Sequence, residues 1–169
     1  DPRNADRILP FLGGSDLNHD PDHTAARHVI DFFDMSEAES RKWPDLMQIV
    51  EDRVKPVRDV QKRKSVRERW WQYAEKRPAL RNATRDLERV LVIARVSQTG
   101  AFTFVPSNQI ISEKIVVFAL SSNASLGVLH SRVHDIWARF FSSTLKDDLQ
   151  YTPSDCFETF PFPENWQTD

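Results

Sequence analysis

The sequence predicts an α+β domain built on a small, mostly antiparallel sheet. Two observations predict it. Short runs of β-branched and aromatic residues at 27–33, 89–97, 102–105 and 114–120 read as strands. Apolar residues spaced three and four apart at 46–57 and 125–141 read as helices. The resulting order is strand, helices, three strands, helix and extended tail, which suits a sheet flanked by helices.

Taken in order, residues 1–24 are rich in Pro, Gly, Asn and Asp, with a turn at Gly13-Gly14 and apolar anchors at Ile8, Leu9, Phe11 and Leu12. After the strand at 27–33, Ser36 and Glu39 have capping-box spacing, so a helix starts there. Pro44 suits the first position of a second helix, and Pro56 predicts a break further on. Pro78 opens another short helix over 79–87. The strands 89–97 and 102–105 are expected to form a hairpin with its turn at 98–101. The strand 114–120 lacks alternation and is therefore expected to be buried. Leu126, Leu129, Val133, Ile136, Trp137 and Phe140 predict one helix over 125–141 with a wide apolar face. The tail 151–166 ends in Phe160-Pro161-Phe162-Pro163. Two prolines in four residues favour an extended strap, packed on the domain through Phe157, Phe160 and Phe162.

The 169 residues are 40% hydrophobic and 28% charged, which excludes a disordered chain and predicts a single domain spanning 1–169. The longest apolar runs fall far short of the roughly 20 residues of a membrane-spanning helix. The single cysteine, Cys156, excludes an intramolecular disulfide and a Cys-based zinc site. A reducing cytoplasm is the expected compartment. The chain starts without Met, in the middle of a pattern, and reads as a piece of a longer protein.

The net charge of -2 hides an asymmetry. Residues 51–89 hold thirteen basic and seven acidic side chains, whereas the flanking regions are acidic. Eight basic residues lie between 53 and 69, and Trp70-Trp71 follows directly. Arg58, Lys62, Arg63, Lys64, Arg67 and Arg69 are candidates for phosphate contacts, which give affinity and register without sequence information. A solvated amphipathic helix is the plainer explanation of the same run. Reading a base sequence needs a second device. The apolar strands around the short polar tip Ser97, Gln98 and Thr99 have that character, since Gln pairs with adenine and Thr touches a thymine methyl. An ordinary surface turn is the alternative.

Catalytic motifs are missing. There is no GxGxxG, no GxxxxGKS/T and no Asp/Asn-Pro-Pro-Tyr/Phe tetrapeptide, and the chain has only four glycines. No Asp or Glu stands two residues before a Lys, as the common two-carboxylate nuclease requires. The pairs His19/His23 and His130/His134 are each four apart, but neither sits in a metal-binding motif, so no metal is expected. Cys156 lacks basic neighbours that would activate it. The chain reads as non-catalytic.

Several segments together resemble a known family. They are Ile8-Leu9-Pro10-Phe11-Leu12-Gly13-Gly14-Ser15-Asp16, Val29-Ile30-Asp31-Phe32, Pro56-Val57-Arg58, Trp70-Trp71, Ala94-Arg95-Val96-Ser97, Phe104-Val105-Pro106, Leu129-His130-Ser131, Trp137-Ala138, and Tyr151-Thr152-Pro153 followed by Phe157-Glu158-Thr159-Phe160-Pro161-Phe162-Pro163. In this order and spacing they resemble the target recognition domain of Type IIG/IIL restriction–modification enzymes of the MmeI kind and of related adenine DNA methyltransferases. The resemblance implies a parent protein whose upstream methyltransferase domain binds S-adenosylmethionine and methylates adenine, in many members with a nuclease domain. It implies that this chain binds double-stranded DNA and itself holds no cofactor. It also implies base-reading side chains just after the Arg-Val-Ser strand, here Gln98, Thr99, Gly100 and Ala101, and further contacts in 64–69.

Two other functions fit the residues less well. One is a protein-interaction or scaffold module whose basic face binds an acidic partner. The other is an RNA-binding domain, which would expose aromatic rings for stacking. Trp70, Trp71, Trp137, Phe140 and Phe141 sit in apolar periodic contexts and are expected in the core.

Overall fold

A computed structural model describes residues 1–74, 76–145 and 148–169. A 3₁₀ turn over Pro2–Arg7 leads into β1 (Ile8–Leu12), α1 (Gly14–His19) and β2 (Arg27–Ile30). Four helices follow, α2 (Glu37–Ser40), α3 (Pro44–Arg53), α4 (Lys55–Asp59) and α5 (Lys64–Glu68), and then α6 (Pro78–Thr84). Strands β3 (Arg89–Ala94), β4 (Val96–Ser97), β5 (Phe102–Pro106), β6 (Ile110–Ile111) and β7 (Ile115–Phe118) come next. The chain ends with α7 (Asn123–Leu129), α8 (Arg132–Phe141), β8 (Ser143–Leu145), β9 (Asp148–Gln150) and α9 (Pro153–Cys156). The α+β expectation holds. The strands do not form one sheet, however, but three short ones, and β1 with β6 is a parallel pair.

Two compact units make up the chain. The first comprises Asp1–Pro10 and Arg27–Pro78. Its core is Phe32, Leu46, Met47, Val50 and Trp70. The helical phase puts Leu46, Met47 and Val50 of α3 on one buried face. The expected capping box is present, with the Ser36 hydroxyl accepting from the Glu39 amide and the Glu39 carboxylate accepting from the Ser36 amide at 2.8 Å. The Ser36 hydroxyl, which donates to the Glu39 carboxylate at 2.7 Å, and the Ser36 amide together hold that carboxyl below its ordinary value. Pro44 is the first residue of α3, and the break expected at Pro56 separates α3 from α4. Trp71 Nε1 and Gln72 Nε2 both donate to the Met35 carbonyl, at 2.9 and 2.7 Å. Those bonds and the buried Trp70 ring anchor the end of the basic stretch.

The second unit comprises Phe11–Ala26 and Ala79–Asp169. Its centre is β3, hydrogen-bonded to β5 on one side and β7 on the other, both antiparallel. Strand alternation sends Leu91 and Ile93 into one core with Phe102, Phe118 and Tyr151. It sends Val90, Val92 and Ala94 into a second core with Leu12, Leu17 and Ile115. Each fully buried aliphatic side chain contributes about 1.5–3 kcal/mol. The tail packs as expected. Phe160 is buried, and Phe157, Phe162 and Trp166 lie against the first of these cores. The tail is not wholly extended, since Pro153 opens the single-turn α9.

The long helix expected at 125–141 is two helices. The Ser131 hydroxyl accepts from the His134 amide at 3.2 Å and caps α8, ending the run of α7 just before it. The expected wide apolar face is also divided. His134 and Ala138 are the buried residues of α8, whereas Val133, Ile136 and Phe140 are 68%, 58% and 79% exposed. Phe141 is exposed too, and Trp137 is half-buried and joins none of the described cores, so of the five aromatic residues expected in the core Trp70 lies within one and Trp71 packs against it. No helix among the described residues is long and apolar enough to cross a membrane.

His134 is 1% exposed, with Nε2 3.3 Å from the Tyr151 hydroxyl and its ring edge-on to Phe160. Burial pushes its pKa below the ordinary 6.5, so the folded state keeps this imidazole neutral. The unfolded chain takes up the proton as pH falls through about 6.5. Stability from this group is therefore complete above that pH and is lost below it. Thermal unfolding should show a midpoint that falls between pH 7.5 and 5.5, and His134→Gln should flatten that dependence.

Candidate nucleic-acid interface

The basic stretch is arranged by its turns. Arg58 ends its helix half-buried, and its Nη1 donates to the Gln72 carbonyl at 2.5 Å. Burial lowers its pKa from the ordinary arginine value, though a guanidinium remains charged at any physiological pH. Arg58, Arg63 and Arg69 line one cleft of about 150 Å³ together with Ser65, Tyr73 and Lys76. Lys76 faces its own counter-charge there, 2.5 Å from Asp34. Three planar guanidiniums thus line one small concavity, with Arg58 Nη1 engaged by the Gln72 carbonyl.

The other three basic candidates are placed differently. Lys62 and Lys64 are exposed and do not line the cleft. Lys64 lies 3.6 Å from Glu68 in an exposed pair, which contributes about 0–1 kcal/mol. Arg67 turns back on its own segment, with Nη1 donating to the carbonyls of Gln61 and Lys62 at 2.6 and 2.9 Å. It closes the turn that presents Lys62.

The structure corrects the hairpin. β3 stops at Ala94, and β4 leaves that sheet to pair with β9, Val96 opposite Gln150 and Ser97 opposite Leu149. Residues 98–101 therefore connect strands of two different sheets. Gly100 has a φ of +63°, and a Cβ there would lie 2.9 Å from Leu149 Cδ2. The left-handed backbone favours glycine here, and a Cβ would also push the Leu149 side chain aside. The Ser97 hydroxyl accepts from the Thr99 amide at 3.3 Å and so shapes the turn. Gln98 and Thr99 are exposed, and Gln98 makes no side-chain hydrogen bond among the described residues.

Ser97, Gln98 and Thr99 line a groove of about 570 Å³. Its other polar residues are Asn18, His19, His23, Thr103 and Asp148. Sequence reasoning missed these as companions of Gln98. Only the four-residue spacing of His19 and His23 hints at them, and that spacing suggests a metal first. Among the described residues no group of three or more His, Cys, Asp or Glu is placed to hold a metal ion.

Comparison with known proteins bears on this arrangement. The family described as MmeI, target recognition domain, matches residues 1–164. The chain belongs to that family. It is 33% identical over 79 residues to DNA methyltransferase A of Bacillus subtilis (strain 168), which is 44% of this chain and 9% of that protein. It shares its fold with the Type IIL restriction–modification enzyme MmeI, solved in complex with DNA, with a TM-score of 0.72 at 19% identity. That likeness covers 96% of this chain and 21% of the MmeI chain. The matched parts of the chain thus span about a tenth and a fifth of these two relatives.

Substituting Arg58 by Ala should lower the unfolding free energy by about 1–3 kcal/mol, because it strands a part-buried carbonyl. Lys62→Ala should change it by less than about 0.5 kcal/mol. Denaturant titration of the two variants checks the contrast.

Proposed function

We propose that this MmeI-type target recognition domain reads double-stranded DNA sequence-specifically and performs no chemistry itself. Arg58, Lys62, Arg63, Lys64, Arg67 and Arg69 would hold phosphates, with the cleft of Arg58, Arg63 and Arg69 as the strongest subsite. Gln98 and Thr99 would meet base edges, and Ser97 would set the shape of their turn. The observation that carries this reading is the exposed, uncommitted Gln98 in a groove whose rim is fixed by strands on both sides. A side chain that reads bases must be free to bond and yet rigidly placed.

The same reading assigns the chemistry to another part of a longer protein, an S-adenosylmethionine-dependent adenine methyltransferase domain acting in the cytoplasm. The residues of this chain do not fit that cofactor. The Gly13-Gly14 turn is closed by its own Asp16, which accepts from the Gly13 amide at 2.8 Å, and a Cβ at Gly14 would lie 3.0 Å from Lys114 Cβ. Gly100 is packed against Leu149. No step of catalysis is therefore assigned to these residues.

Duplex affinity measured between 50 and 200 mM salt tests the reading. It should fall steeply, and Arg69→Ala should reduce the log–log slope by about 0.9 while weakening all sequences alike. Gln98→Ala should instead relax one position of the preferred site, at about 1–3 kcal/mol. Equal binding of duplex DNA and of an acidic polypeptide would favour the protein-interaction alternative.

A further inference from the structure

The groove beside Gln98 has a second wall, made by the end of α1 and the turn after it. That wall is fixed in place. Leu17 is buried in the core, and Asn18 Nδ2 donates to the Val96 carbonyl at 3.1 Å, across 78 residues of sequence. The following turn is held by Asp20, whose carboxylate accepts from the amides of Asp22 and Thr24 at 3.1 and 2.9 Å. Those bonds lower the Asp20 pKa and hold His23 at a φ of +51°. The wall is therefore tied to the strand that carries Ser97.

His19 is exposed on this wall, and its ring is oriented by Ser15 four residues earlier. Its Nδ1 lies 3.0 Å from the Ser15 carbonyl. The Ser15 hydroxyl lies farther off, at 3.5 Å, and a carbonyl oxygen only accepts, so the tautomer with its proton on Nδ1 is the one that satisfies the shorter contact. In the neutral ring Nε2 is then a lone-pair acceptor. Asp148, on the same groove, brings a carboxylate, which also accepts. The Asp148 carboxylate disfavours a phosphate at this end of the groove. In the major groove the donors are the exocyclic amino groups, N6 of adenine and N4 of cytosine.

We propose that His19 is a specificity-determining residue, accepting a hydrogen bond through Nε2 from the exocyclic amino group of an adenine or cytosine in the recognised duplex. The proposal rests on the reading that Gln98 faces base edges in the same groove. It adds a second point of readout, from a segment some eighty residues earlier in the chain. Asn18 is a positioning residue, because it joins the wall to the reading strand.

The experiment is selection from a pool of randomised duplexes, with the bound fraction sequenced, for the wild type and His19→Ala. The wild type should enrich a motif, and His19→Ala should lose about tenfold discrimination at one position of it while keeping the rest. At that position adenine is next replaced by purine, or cytosine by pyrimidin-2-one, each lacking the amino group. Wild-type affinity should drop about tenfold, and His19→Ala should be indifferent to the change. An unchanged motif in His19→Ala, or an equal response of both proteins to the analogue, overturns the role of His19 and leaves the duplex-reading function standing. A wild type that enriches no motif at all overturns both.

Discussion

The second unit depends on one strand that has no free side. β3 is hydrogen-bonded along both edges, and its alternate residues serve two separate cores. It pairs with β5 over Arg89–Ile93 and with β7 over Leu91–Ala94, and every side chain from Val90 to Ala94 is buried. The first residue beyond the burial is Arg95. Its amide donates to the Lys114 carbonyl, and its own carbonyl accepts from the Tyr151 amide, both at 2.8 Å. Its Nε donates to Glu113. Arg95 thus turns the chain out of one sheet into the next, and the groove begins where the core ends.

Local signals in the sequence were legible where a local bond decides the structure. Ser36 with Glu39, Pro44 and Pro56 each act within one turn, and each boundary stands where the chemistry puts it. The run 125–141 shows the limit. Its apolar spacing marks a stripe without saying what covers it. In the fold, Ser131 caps a new helix, and the side turned to the core carries the small Ala138 and the polar His134. Phe140 and Ile136 stay outside because the space beneath α8 is already filled by Tyr151, Phe160 and Cys156.

The basic stretch was legible as charge and only partly as geometry. Composition counts Arg67 and Arg69 alike, yet one closes a turn on two carbonyls and the other lines a cleft. That difference lies in turns of five and six residues, which carry no periodic signal. The groove was harder still. Ser97, Gln98 and Thr99 stand out as a polar tip, but their partners Asn18 and His19 come from a distant segment, joined to them by a hydrogen bond to Val96 that no spacing reveals.

The crossing between two sheets at 95–101 has a consequence for how such a protein diversifies. The ends of the segment are clamped by separate frameworks, β4 on β9 before it and β5 on β3 after it. Gly100 alone is pinned by its own backbone and by Leu149. Gln98 and Thr99 are exposed, and the Gln98 side chain holds no hydrogen bond among the described residues, so a change of that side chain breaks no bond of the scaffold. The surface of this crossing can therefore change while the interior that holds it stays the same.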